Sequence, residues 1–226
     1  MVSPDRPGDG DRRLPPPILL MSPGDLEVSQ RDSTRVSNFA RATAALFAAA
    51  GSECPVGLLL REPTLFDADL VELVERLRDQ GFEHWLGIHD ALHVASTVSA
   101  QGAHLSFRSL PAREARAALS SSMALGASLH AGDDPERCRD LDYACLSPVH
   151  PTPYKSHPLR PLGWPGFAAE RERFQVPVWA LGGLQPEDAA PARNHGADGV
   201  LLRSGVLGQA DASKRLERLV EGWIAS

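Results

Sequence analysis

At 226 residues, with 42% hydrophobic and 23% charged residues, the chain has the size and composition of one globular domain with a full core. A formal net charge of −6 excludes a broad nucleic-acid-binding surface but leaves room for a local anion site. Three separated cysteines exclude a disulfide framework, no apolar run reaches membrane-spanning length, and the first 17 residues lack the core of a secretion signal, so the cytoplasm is the expected location.

Residues 1–17 are rich in Pro, Gly, Asp and Arg and are expected to form a mobile tail ahead of a single domain over 18–226. Ile18 to Met21 reads as a short buried strand closed by Ser22-Pro23-Gly24. The periodicity predicts a helix from near Thr34 to Ala50, stopped by Gly51. Val56 to Leu60 is the second strand, leading into Arg61-Glu62-Pro63. Asp67 or Asp69 is the expected cap of the next helix, whose apolar face is Leu70, Val71, Val74 and Leu77.

Trp85 to Ile88 predicts a third strand ending at His89-Asp90, followed by a short helix to Gln101. Ala103 to Leu105 is the fourth strand, and Pro111 opens a helix through Leu119. Met123 to Ala127 is the fifth, ending in Ser128-Leu129-His130, with Asp133 or Asp134 capping a brief helix. Tyr143 to Leu146 is the sixth and feeds the longest loop, before a helix expected over Phe167–Phe174. Val178 to Leu181 stops at Gly182-Gly183, Pro186 opens a helix ending at Gly196, and Gly199 to Leu202 stops at Arg203-Ser204-Gly205. Asp211 is the expected cap of a last helix with Leu216, Leu219, Val220 and Trp223 on one face.

Eight strand–helix units with non-alternating apolar strands predict a parallel sheet covered on both faces. That number favours a closed (β/α)₈ TIM barrel over a doubly wound open sheet, the structural alternative. A barrel of this kind carries its active groups at the carboxyl ends of the strands. Those ends supply Arg61, His89, Asp90, Ser128 and His130, with Thr152 and Lys155 on the long loop. His104 lies within its strand and is read as a hydrogen-bonded structural histidine bordering this substrate-binding set. His130, directly after a strand and near Ser128, is the expected proton carrier at neutral pH. The turns at Gly182, Gly183, Arg203, Ser204 and Gly205 form the expected phosphate cup, where small residues expose backbone N–H groups. His89, Asp90 and His93 admit a metal reading through i, i+4 spacing, but their third ligand is not fixed, and no metal site is expected.

Seven stretches taken in order resemble the thiamine phosphate synthase/TenI superfamily: LLLREP, IHDALHVA, GAHLSFRSLP, LGASLH, LDYACLSPVHPTPYKS, VPVWALGGL and GADGVLLRSGVLG. The resemblance runs from about Ile18 to the end and implies a (β/α)₈ barrel of thiamine biosynthesis. In the synthase branch it implies a pyrimidine diphosphate bound through magnesium, using an Asn-Asp pair after strand three and a further Asp after strand four. Here those positions read His89-Asp90 and Ser109. Leu59 and Pro63 replace the branch's Gln and Lys around Arg61, and Tyr154 replaces the second threonine of its Thr-x-Thr-Lys loop.

The TenI branch implies a metal-independent proton shift on a thiazole carboxylate phosphate through a histidine after strand five, the position of His130. On this basis the first expectation is an isomerase without cofactor, acting on a small phosphorylated heterocycle. Arg61 or Lys155 would pair with the carboxylate. The synthase with magnesium on Asp90 is the second reading, and a binding or regulatory barrel without turnover is the third. No nucleic-acid or membrane partner is expected, and association as a homodimer is compatible with the sequence.

Overall fold

The computed structural model describes residues 14–26, 34–152 and 159–226. Within them eight parallel strands close into one barrel in chain order: β1 (Ile18–Met21), β2 (Val56–Leu60), β3 (Trp85–His89), β4 (Gly102–Leu105), β5 (Ala124–Leu129), β6 (Tyr143–Leu146), β7 (Val178–Leu181) and β8 (Gly199–Leu202). β8 pairs back on β1 in register Ile18↔Val200, which removes both sheet edges. The expected TIM barrel is the observed fold. Helices α1 (Thr34–Ala50), α2 (Asp67–Asp79), α3 (Leu92–Thr97), α4 (Ala112–Ala118), α5 (Gly163–Arg171), α6 (Ala189–Asn194) and α7 (Ala212–Ile224) carry the connections. A 3₁₀ turn, Pro135–Cys138, serves between β5 and β6.

Two apolar regions follow from the period of two along each strand. Outward residues such as Leu20, Leu58 and Leu60 pack under the helices, meeting Phe47 of α1 and Leu73 and Leu77 of α2. Inward residues Leu19, Met21, Leu59, Trp85, Tyr143, Trp179 and Leu201 fill the barrel itself. The interior is packed by pairing large rings with glycines. A Cβ on Gly87 or Gly102 would overlap the Trp85 indole, one on Gly126 the Tyr143 ring, and one on Gly199 the Trp179 indole.

Several local expectations are corrected. The N-cap of α2 is Phe66 and not Asp67, and Asp211 stands at the N-cap of α7 without a side-chain cap bond. Asp67 pairs with His93 at 2.7 Å and Asp211 with Arg215 at 2.8 Å, each carboxylate finding a side-chain partner instead of backbone N–H groups. On α2 the fully buried positions are Leu70, Leu73, Val74 and Leu77, with Val71 at the margin. The helix expected at Phe167 begins earlier, at Gly163, because Pro165 sits in its first turn, where a missing N–H costs nothing. Of the expected tail, residues 1–13 lie outside the described residues, whereas Pro16 and Pro17 are docked on the barrel floor. The Pro16 carbonyl accepts from Trp179 Nε1 at 3.1 Å and the Pro17 carbonyl from the Val200 N–H at 2.7 Å.

Candidate functional site

Strand parity decides what faces the mouth. Counting by twos from Leu59, His104, Ser128 and Leu201 places Arg61, Ser106, His130 and Arg203 on the inward side of the strand ends, with His89 beside His104. Within β4 stands His104. It is fully buried, with Nδ1 at 3.1 Å from the Tyr143 hydroxyl and Nε2 at 3.0 Å from Ser128 Oγ. Gly126 makes this possible: it lies between His104 and Tyr143 in the register and has no side chain to separate them. Burial, reinforced by nearby His89, drives the His104 pKa down to about 3, so the ring is neutral. Burial likewise pushes the Tyr143 phenol well above its ordinary value. His104 is therefore buried and satisfied by two protein partners, in keeping with its reading as a hydrogen-bonded structural histidine. Tyr143, its partner, was read from sequence only as the start of a strand.

His89 stacks on His104 with ring centroids 5.4 Å apart, and its Nδ1 lies 3.1 Å from Asp90 Oδ2. Asp90 adopts a left-handed backbone (φ 64°), with its N–H on the His104 carbonyl at 2.9 Å. Its Oδ1 accepts from the Ser106 N–H at 2.9 Å and from the Ser109 hydroxyl. Desolvation opposes the charge of Asp90, but the hydrogen bonds from His89, Ser109 and Ser106 outweigh it and hold the carboxyl below the usual range. His93 points away to Asp67, so the i, i+4 histidine pair does not assemble.

These residues bear on the magnesium that the family resemblance implies. A hard divalent cation needs several oxygen ligands, carboxylates above all. Here the Asp90 carboxylate is engaged by three hydrogen-bond donors, and the position of a second carboxylate is Ser109, itself one of those donors. Among the described residues no group of three His, Cys, Asp or Glu side chains could hold a metal ion. The residues present do not fit a built magnesium site.

The turn after β1 links the other side of the mouth. Glu62, 5% exposed, accepts the Gly24 and Leu26 N–H groups, both at 2.9 Å, and Ser22 Oγ accepts the Arg61 N–H at 2.8 Å. Arg203 spans the gap from β8 and donates Nε and Nη2 to the Pro23 carbonyl at 3.0 and 2.7 Å. Arg61 and Arg203 thus converge. Burial and then the Arg203 charge lower the Arg61 pKa, with Asp90 and Glu62 acting in the opposite sense.

The remaining expected groups divide. The His130 N–H donates to Asp133 at 2.9 Å, and its Nδ1 lies 3.9 Å from the same carboxylate, which also pairs with Arg137 at 2.7 Å. Gly182 and Gly183 have positive φ, and a Cβ on either would strike the loop after β6, at Pro148 (2.8 Å) or His150 (2.7 Å). Close loop packing thus requires these two glycines whether or not a ligand binds. The N–H groups of Gly183, Ser204 and Gly205 have no acceptor among the described residues. Thr152 Oγ1 is buried with no partner among them, while Lys155 lies outside the described residues.

The fold and site together define a single-domain parallel (β/α)₈ barrel with its polar side chains gathered at the strand carboxyl ends. The family model described as thiamine monophosphate synthase matches residues 32–206, and the chain belongs to that family. It is 34% identical to the thiamine-phosphate synthase of Moorella thermoacetica, over 72% of this chain and 79% of that protein. It is 32% identical to the thiamine-phosphate synthase of Albidiferax ferrireducens, over 72% and 77% respectively. Among solved structures, the thiamine phosphate pyrophosphorylase of Pyrococcus furiosus superposes with a TM-score of 0.73, covering 92% of this chain and 95% of that one at 22% identity, a likeness of fold.

These relatives overturn the isomerase expectation. It rested on one histidine position and five departures, whereas the likeness to named synthases extends over 168 aligned residues in the Moorella protein. No helix among the described residues is long and apolar enough to cross a membrane.

Proposed function

We propose that the chain works as a thiamine-phosphate-synthase-type enzyme, joining a phosphorylated thiazole to a pyrimidine diphosphate. The observation that carries this reading is its identity, above 30%, to synthases covered over more than three quarters of their length. The mouth offers complementary chemistry. The donors at Gly183, Ser204 and Gly205 suit a phosphate monoester, because a ring of N–H groups binds an anion without long side chains to order. Arg61 and Arg203 suit the more highly charged diphosphate. Ser128 and His130, on the inward side of β5, supply hydrogen bonds to the heterocycle between these two ends. In joining, a bond forms at the carbon that carried the diphosphate and its C–O bond breaks, so negative charge grows on the departing group. Fixed cations beside it favour that step more than they favour the bound substrate.

The test is turnover of purified protein supplied with both substrates, followed by release of diphosphate, with and without EDTA. Stoichiometric formation of thiamine phosphate and diphosphate supports the reading. Absence of both products in magnesium and in EDTA removes it.

A further inference from the structure

Arg61 and Arg203 start 142 positions apart in the chain and meet over one atom position. A side chain begun on Gly24 would find Arg61 Nη1 at 3.1 Å and Arg203 Nη2 at 3.3 Å. The β1 turn has positive φ at Gly24 (84°), a conformation open to glycine, so the space between the two guanidinium groups stays clear.

The nearby carboxylates Glu62 and Asp90 act on Arg61 through space only, and each is hydrogen-bonded elsewhere. Glu62 turns both carboxylate oxygens onto backbone N–H groups of the β1 turn. Arg203 uses two donors on the neutral Pro23 carbonyl, which orients the group without cancelling its charge. Arg61 has no hydrogen-bonded carboxylate among the described residues. Two like charges held together at a half-buried mouth are unfavourable until an anion joins them. On the other side of the mouth, Asp90 is occupied by His89, Ser106 and Ser109 and has no second carboxylate beside it. Among the described residues, the Arg61–Arg203 pair thus carries positive charge that a diphosphate could meet, and no cluster of acidic ligands for a magnesium ion is present.

We infer that this chain binds the diphosphate group of its substrate through the Arg61–Arg203 pair, in place of a divalent cation, so that diphosphate binding does not require magnesium. The inference rests on the synthase-type reading for its substrate class, and on the geometry over Gly24 for its site. The planar forks can each take two phosphate oxygens, one fork per phosphoryl group, which an ammonium or a single cation would not reproduce.

The experiment is calorimetric titration with inorganic pyrophosphate in EDTA and again in excess magnesium. Wild-type protein should bind in EDTA, and magnesium should not strengthen that binding, because no cation site is being filled. Arg203→Met keeps the apolar stem and should weaken pyrophosphate by roughly ten- to a hundredfold, the loss expected for a charge-assisted hydrogen-bond donor, with its melting temperature recorded alongside. Ser109→Asp, which gives Asp90 a carboxylate neighbour, should make pyrophosphate binding magnesium-responsive.

Pyrophosphate binding that appears only with magnesium, or a folded Arg203→Met protein with unchanged affinity, would overturn the inference. The two readings fail separately. Absence of joining activity alongside EDTA-resistant binding removes the synthase reading alone. Joining activity with strictly magnesium-dependent binding removes the arginine pair alone.

Discussion

Replacing His104 by glutamine isolates the proton balance of the barrel interior. In the native protein the ring is fully buried between the Tyr143 hydroxyl and Ser128 Oγ, and its pKa falls from 6.5 to about 3. Burial is the main cause, followed by the electrostatic influence of neighbouring His89, with Asp90 opposing them. A depressed histidine pKa means that the unfolded chain takes up a proton the native state refuses. The stability contributed by neutral His104 is complete above the unfolded pKa and is lost as pH falls from there toward the folded value. One such proton is worth about 1.4 kcal/mol per pH unit, hence roughly 2 kcal/mol between pH 6.5 and pH 5.

Glutamine does not titrate and can satisfy one of the two partners, so His104→Gln should be about 1–3 kcal/mol less stable than wild type near pH 7.5. As the medium is acidified the wild-type curve should fall toward the variant's, closing the gap by about 2 kcal/mol near pH 5. The assay is urea unfolding at a series of pH values, read by tryptophan fluorescence. Trp179 is a local probe, its ring 5.4 Å from Tyr143. The other histidines are common to both proteins and cancel in the difference. A gap that stays constant across this range would refute the assignment of His104 as the buried neutral group.

Gly126→Ala forces a Cβ into the Tyr143 ring and should cost about 2–3 kcal/mol of stability by the same unfolding measurement, with the His104–Tyr143 contact disrupted. Arg116→Ala removes the half-buried partner of Asp142, whose Oδ2 also accepts the Leu125 N–H at 2.8 Å, and should lower stability by about 3 kcal/mol. Double-mutant analysis with Asp142→Asn measures the coupling. His130→Asn should reduce kcat/KM for the joining reaction about ten- to a hundredfold while the melting temperature holds within a few degrees. Unchanged kcat/KM would take His130 out of the site.

The positions that the barrel needs were legible because they are local patterns. Apolar runs such as Ile18–Met21 and Val56–Leu60, punctuated by glycine, announced the strands, and Leu216, Leu219 and Trp223 announced the buried face of α7. The strand-end positions of Arg61, His89, Asp90 and His130 were also legible, since a parallel barrel sends every strand's carboxyl end to one mouth. What those residues do there was less so. His130 alone suggested proton transfer, and overall likeness to synthases outweighed it.

By itself the sequence determined the eight units and the glycine turns after β7 and β8, because apolar runs, helical periods and glycine stops are written within a few residues. Only closure of the barrel decided the rest. It brought Trp179 onto Pro16 and Arg203 onto Pro23, and set Tyr143 against His104 across the bare Gly126. It also set Glu62 against the β1 turn and Ser109 on Asp90. Each of these contacts joins residues from 19 to 180 positions apart in the chain. Their energies depend on which hydrogen-bond partner is within about 3 Å once water is excluded, and no local pattern in the chain encodes that distance.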